Sequence, residues 1–93
     1  TGVMRERYPR TAQVSRRFDA MLAMSVRLGV APVDAARAGP AFREAVRRCI
    51  ACRNEARCRA YRADAASSDD PRAFCPNAPF FASRPRVNDD RQA

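Results

Sequence analysis

The sequence predicts an all-α fold, a small compact bundle of about four helices closed by one four-cysteine metal centre. Three observations predict it. Apolar residues recur twice at i, i+4, i+7, i+8; no stretch alternates apolar and polar side chains as a strand would, and no Asn-Gly or Asp-Gly pair marks a hairpin; and four cysteines fall in the second half of the chain. A chain of 93 residues with no Trp has a thin core. A domain of this size buries only about 60 to 65% of the surface its unfolded chain exposes, so it calls for a disulfide, a metal or a partner.

Residues 1–10 mix charges with Tyr8-Pro9, show no sustained period and read as a flexible N-terminal arm. From Thr11 to about Leu28, Val14, Phe18, Met21 and Leu22 form the apolar stripe of a first helix, with Gly29 as its C-terminal cap. Pro32 and Gly39 bracket a short connector helix. Pro40 opens a third helix, on which Phe42, Val46, Cys49 and Ile50 repeat the stripe. The chain bends near Arg53-Asn54, and Asn54 restarts it as a helix that stacks Cys58 and Tyr61 at i, i+3. Residues 65–72 are turn chemistry, and Ala78-Pro79-Phe80-Phe81 form one helical turn that folds back on the core. Residues 11–82 are thus the helical four-cysteine domain, and residues 83–93, with Val87 as their one sizeable apolar residue, are a disordered tail.

The cysteines are spaced Cys49-x2-Cys52-x5-Cys58-x16-Cys75, and Pro76 follows the last. A [4Fe-4S] cube needs one thiolate per iron from four directions: a Cys-x2-Cys turn supplies two, a nearby turn a third and a distant segment closes the site. Cys-Pro also closes the bacterial ferredoxin run, where proline has no N–H and fixes the chain beside the sulfur. The expectation is one [4Fe-4S] cluster on Cys49, Cys52, Cys58 and Cys75. The competing reading is structural zinc, although four-cysteine zinc sites commonly use two Cys-x2-Cys knuckles and only one is present. A disulfide or reactive-thiol pair and four inert, buried cysteines are further alternatives.

The run from Cys49 to Cys58 resembles the last three ligands of the iron-sulfur loop in base-excision DNA glycosylases, but the position of that motif's first ligand is Phe42 here. A fuller resemblance covers about residues 18 to 81. It rests on Met21, Met24, Leu28-Gly29-Val30, Ala35-Ala36, Arg47-Arg48-Cys49, Cys52, Cys58-Arg59-Ala60 and Phe74-Cys75-Pro76-Asn77-Ala78. On these the sequence is similar to an uncharacterised family of small bacterial four-cysteine proteins, a domain of unknown function. Tyr61-Arg62 departs from the Trp-Leu of that pattern. The resemblance supports the ligand set and implies no activity.

Four thiolates around a [4Fe-4S]2+ core carry a net charge of about −2, costly to bury without donors or cations. Arg47, Arg48, Arg53, Arg57 and Arg59 lie close in sequence to the ligands, and guanidinium groups reaching the sulfurs would raise the cluster potential. Their alternative role is a solvated face. Tyr61, Phe74, Ile50 and Phe80 are expected to wall the site, Pro76 to hold the closing turn, and Asn77 to cap the last helix or donate to a sulfur.

The basic residues number eighteen, all Arg, against ten acidic ones, a net charge of +8. Such a field suits an acidic protein partner, here an acidic redox partner, and admits nucleic acid as a second class of partner. Base-stacking aromatics are few. The chain has no His, which removes the usual general base and every His-containing zinc site. The expectation is therefore no enzyme and no small-molecule substrate, but a one-electron carrier or redox sensor. No apolar run reaches the roughly 20 residues that span a bilayer, and no signal-peptide core is visible. A cytoplasmic protein follows, in which four cysteines favour metal or redox chemistry over structural disulfides.

Overall fold

The computed structural model describes residues 2–87, with side chains from residue 12 onward. Among the described residues five α-helices follow in chain order: α1 (Gly2–Arg27), α2 (Pro32–Ala36), α3 (Pro40–Ile50), α4 (Glu55–Ala63) and α5 (Ala78–Ala82), with a 3₁₀ turn at Pro71–Ala73 before the last. Among the described residues there is no strand. No helix is long and apolar enough to cross a membrane, again among the described residues.

α1 starts at Gly2, nine residues before the expected Thr11, so the segment read as an arm is helical over residues 2–10. Pro9 was the misleading signal: it withholds one N–H from the ladder without ending the helix. At the other end Gly29, at φ 81°, closes a Schellman motif. The Val30 N–H reaches the Ser25 carbonyl at 2.9 Å and the Gly29 N–H the Val26 carbonyl at 3.0 Å. The buried Ser25 hydroxyl donates back to the Val30 carbonyl at 2.6 Å. The chain leaves α1 sharply enough for Val30 and Ala35 to enter the core.

The buried face of α1 is Met21, Met24 and Ser25, with Leu28 partly covered. The expected stripe has the right period but the wrong reach, because its early members stay in solvent: Val14 is 46% exposed and Phe18, edge-on to Phe42 at 6.3 Å between ring centroids, is 36% exposed. Full burial of a side chain such as Met21, Met24 or Phe81 stabilises by about 1.5 to 3 kcal/mol. Gly39, at φ 62°, reverses the chain ahead of Pro40, and Ala45 on α3 is fully buried. Tyr61 of α4 meets Phe74 in a T-shaped contact at 5.6 Å, and Phe80 and Phe81 of α5 complete the core.

Residues 83–87, read as the start of a disordered tail, are tied to the bundle. Arg84 donates twice to the Asp34 carbonyl, at 2.9 and 3.2 Å, and the Val87 N–H reaches the Gly29 carbonyl at 2.8 Å. The rest of that expectation, residues 88–93, lies outside the described residues.

Candidate functional site

Cys49 occupies the last turn of α3, Cys52 the bend that follows, Cys58 the second turn of α4, and Cys75 the link between the 3₁₀ turn and α5. The bend forms because α3 closes with the Ala51 N–H on the Arg47 carbonyl and the Cys52 N–H on the Cys49 carbonyl, 3.1 Å each. Asn54 then opens α4. Its side chain does not cap that helix but donates to the Phe74 carbonyl at 2.8 Å, which ties the bend to the segment bearing Cys75.

These connections bring all four cysteines, each half-buried and free, to the wall of one small cavity of about 20 Å3. Ala20, Met21 and Met24 of α1, Phe74, Pro76, Asn77 and Phe81 line the remainder. Among the described residues, no group of three or more His, Cys, Asp or Glu side chains is arranged to hold a metal ion directly.

Donors face three of the sulfurs. The Asn54 N–H points at Cys52 Sγ at 3.3 Å, and Arg62 Nε at Cys58 Sγ at 3.4 Å. The backbone N–H groups of Asn77 and Ala78 favour the charged form of Cys75, whose thiol is nevertheless raised by burial and by the nearby Cys58 and Cys52. Cys49 differs: its thiol donates to the Arg17 carbonyl at 3.4 Å. Burial first, then Cys58, Cys52 and Cys75, push it up to about 11, with Arg17 acting in the opposite direction. Cys49 and Cys75 therefore hold their protons more tightly than free thiols, and a bound cation would offset that penalty. Four soft sulfur donors on one cavity, with N–H groups turned toward three of them, are the donor chemistry that a thiolate-bound metal or cluster requires.

The residues expected around the cysteines are placed differently from one another. Phe74 and Asn77 are buried and line the cavity, and Pro76 lines it while staying exposed. Tyr61 is buried one layer behind, against Phe74. Ile50 is half-buried, and Phe80 is buried against Phe81 instead of walling the cavity.

The Asn77 side chain neither caps α5 nor reaches a sulfur; it is the Asn77 backbone N–H that faces Cys75. The side-chain amide donates to the Ala45 carbonyl at 2.7 Å and accepts from Arg48 Nε at 2.8 Å, because burial demands partners for both ends. Arg48 is thus spent on Asn77, Arg57 lies over the Phe74 ring at 4.9 Å, and Arg53 is exposed. Arg47 and Arg59 pair with Glu44 and Glu55. The guanidinium groups at the cysteines are instead those of Arg62 and Arg17. Arg62 could have been found, since it stands one helical turn after Cys58. Arg17 could not, being 32 and 35 residues from the carbonyls it contacts.

Beside the cavity, and sharing Cys52, Phe74, Cys75 and Pro76 with it, runs an open groove of about 470 Å3 edged by Arg48, Arg53 and Arg72. The model of a family of unknown function, DUF6455, matches residues 8–86. No curated protein and no solved structure matches the chain.

Proposed function

The chain belongs to the DUF6455 family, whose function is unknown, and from the chemistry of its site we propose that it binds one [4Fe-4S] cluster through Cys49, Cys52, Cys58 and Cys75. Its work is one-electron transfer or redox sensing, with no substrate turned over. The observation that carries this reading is the gathering of four free thiols from α3, the bend, α4 and the α5 link onto one cavity.

When bound, the cluster supplies one electron at a time without breaking a bond to protein. The chain's own residues supply the rest. The N–H groups of Asn54, Asn77 and Ala78 and the guanidinium of Arg62 offset thiolate charge. Met21, Met24, Phe74 and Phe81 keep water from the cavity. The groove edged by Arg48, Arg53 and Arg72 brings an acidic redox partner within one residue of the sulfurs of Cys52 and Cys75. Such a carrier works in a reducing compartment, the cytoplasm.

The test is the content of iron, acid-labile sulfide and zinc after purification without oxygen. Iron and sulfide in equal amounts near four per chain support the cluster. One zinc per chain and no sulfide replaces it with a structural zinc domain, for which a salt-sensitive gel shift then decides whether the arginine face binds nucleic acid.

A further inference from the structure

Arg17 stands where α1, the end of α3 and the start of α4 meet. One guanidinium nitrogen, Nη1, donates to the Cys52 carbonyl at 2.6 Å and to the Cys49 carbonyl at 3.5 Å. The other, Nη2, pairs with Glu55 Oε2 at 2.9 Å. The main-chain carbonyl of Arg17 accepts the Cys49 thiol. The side chain is only 13% exposed, and its Nε is buried with no partner. The C-terminal end of α3 carries partial negative charge, and the planar guanidinium sits there with one nitrogen on the Cys52 carbonyl of the bend and the other on the Glu55 carboxylate that opens α4.

Arg16, its neighbour, provides a natural contrast. It binds the same Glu55, at 3.0 Å, but is 57% exposed and contacts neither carbonyl. The ion pair with Glu55 is therefore common to both arginines, and the grip on the cysteine bend belongs to Arg17.

We propose that Arg17 is the positioning residue of the cysteine site: it fixes the bend from Cys49 to Cys52 and places a permanent positive charge beside it, so that the sulfurs are held ready for a metal or cluster. The proposal rests on the reading that the four cysteines ligate together. The Arg17 side chain touches no sulfur and acts through the backbone that carries two of the ligands.

Zn2+ is the probe for the apo-protein, titrated in competition with a chromophoric chelator, and the reduction potential is the probe for the iron-loaded protein. Arg17→Gln should weaken Zn2+ binding about 10- to 100-fold, the usual effect of losing an outer-sphere partner, while Arg16→Gln stays within about twofold of the parent. The loaded Arg17→Gln protein should also have a more negative potential, because a cation that favours the reduced state is gone, and Arg17→Lys should recover that potential. A purely structural role would not move the potential.

Equal Zn2+ affinity in Arg17→Gln and parent, or an equal loss in Arg16→Gln, overturns the proposal and leaves the four-cysteine reading standing. A parent that binds neither zinc nor iron overturns both. If Arg17→Gln does not fold, Arg17→Lys decides: Lys keeps the charge but not the fork, so a loss of at least about threefold supports the proposal and parental affinity sinks it.

Discussion

The Asn77 amide donates to the Ala45 carbonyl at 2.7 Å, joining the residue that follows Cys75-Pro76 to the most deeply buried position of α3. Asn77 is 2% exposed, and Arg48 supplies the donor its oxygen requires. Asn77→Ala leaves the Ala45 carbonyl and the Arg48 guanidinium without that partner, and should cost about 2 kcal/mol in urea unfolding. Arg48→Ala, whose side chain can be replaced by water, should cost no more than about 1 kcal/mol. Equal losses would mean that the amide is not what joins these segments.

The pH dependence of the apo-protein follows from Cys49. Its thiol is raised from 9.0 to about 11 in the folded state, chiefly by burial and then by the other three cysteines. A group that holds its proton more tightly when folded stabilises fully below its unfolded pKa, and that stability is lost as pH climbs through the folded one. Apo-protein stability should fall from about pH 9 to about pH 11, and Cys49→Ala should flatten the fall, as thermal melts across that range would show. At pH 8 the folded thiol carries on the order of a hundredfold less thiolate than the free one, so iodoacetamide should label Cys49 far more slowly in the native than in the urea-unfolded chain.

Gly29 turns the chain out of α1 at φ 81°, where nothing lies within 4 Å of the position a Cβ would take. Gly29→Ala should therefore destabilise only through the left-handed backbone, by about 1 to 2 kcal/mol. Ser25→Ala, which removes the 2.6 Å bond to the Val30 carbonyl, should cost a similar amount. Chemical denaturation of the two single variants and the double variant checks both, and a clear departure from additivity would show that the turn acts as one unit.

Much of the helical order was legible because local chemistry decides it. Pro32 opens α2 and Pro40, behind Gly39, opens α3, and Gly29 ends α1 as its position implies, whereas α2 stops at Ala36, short of Gly39. The reach of the α1 face was not legible: Met24 is buried at the cavity that the distant cysteines line, and Ser25 where the Schellman turn brings Val30 back onto it. Asn54 and Asn77 both sit at helix starts, where a cap is the local preference, yet each side chain is taken by a carbonyl 20 or 32 residues away. The gathering of four cysteines on one cavity was read from their spacing, whereas the cations beside them depend on how α1 crosses α3 and α4. No local pattern encodes that crossing.

Cys75 is the cysteine brought from farthest along the chain, and the N–H groups of Asn77 and Ala78 face its sulfur. Serine keeps the size and an acceptor for those N–H groups but supplies a poor ligand for a soft metal. Cys75→Ser should therefore purify without iron and sulfide, and melt well below the loaded parent, because ligation that exists only in the folded state is stability the variant lacks. The apo-forms separate the two effects. Stripped of metal by a chelator, parent and variant should melt within a few degrees of each other, since the thiol's partners are kept by the hydroxyl. A variant that matches the loaded parent in both metal content and melting temperature would remove Cys75 from the ligand set.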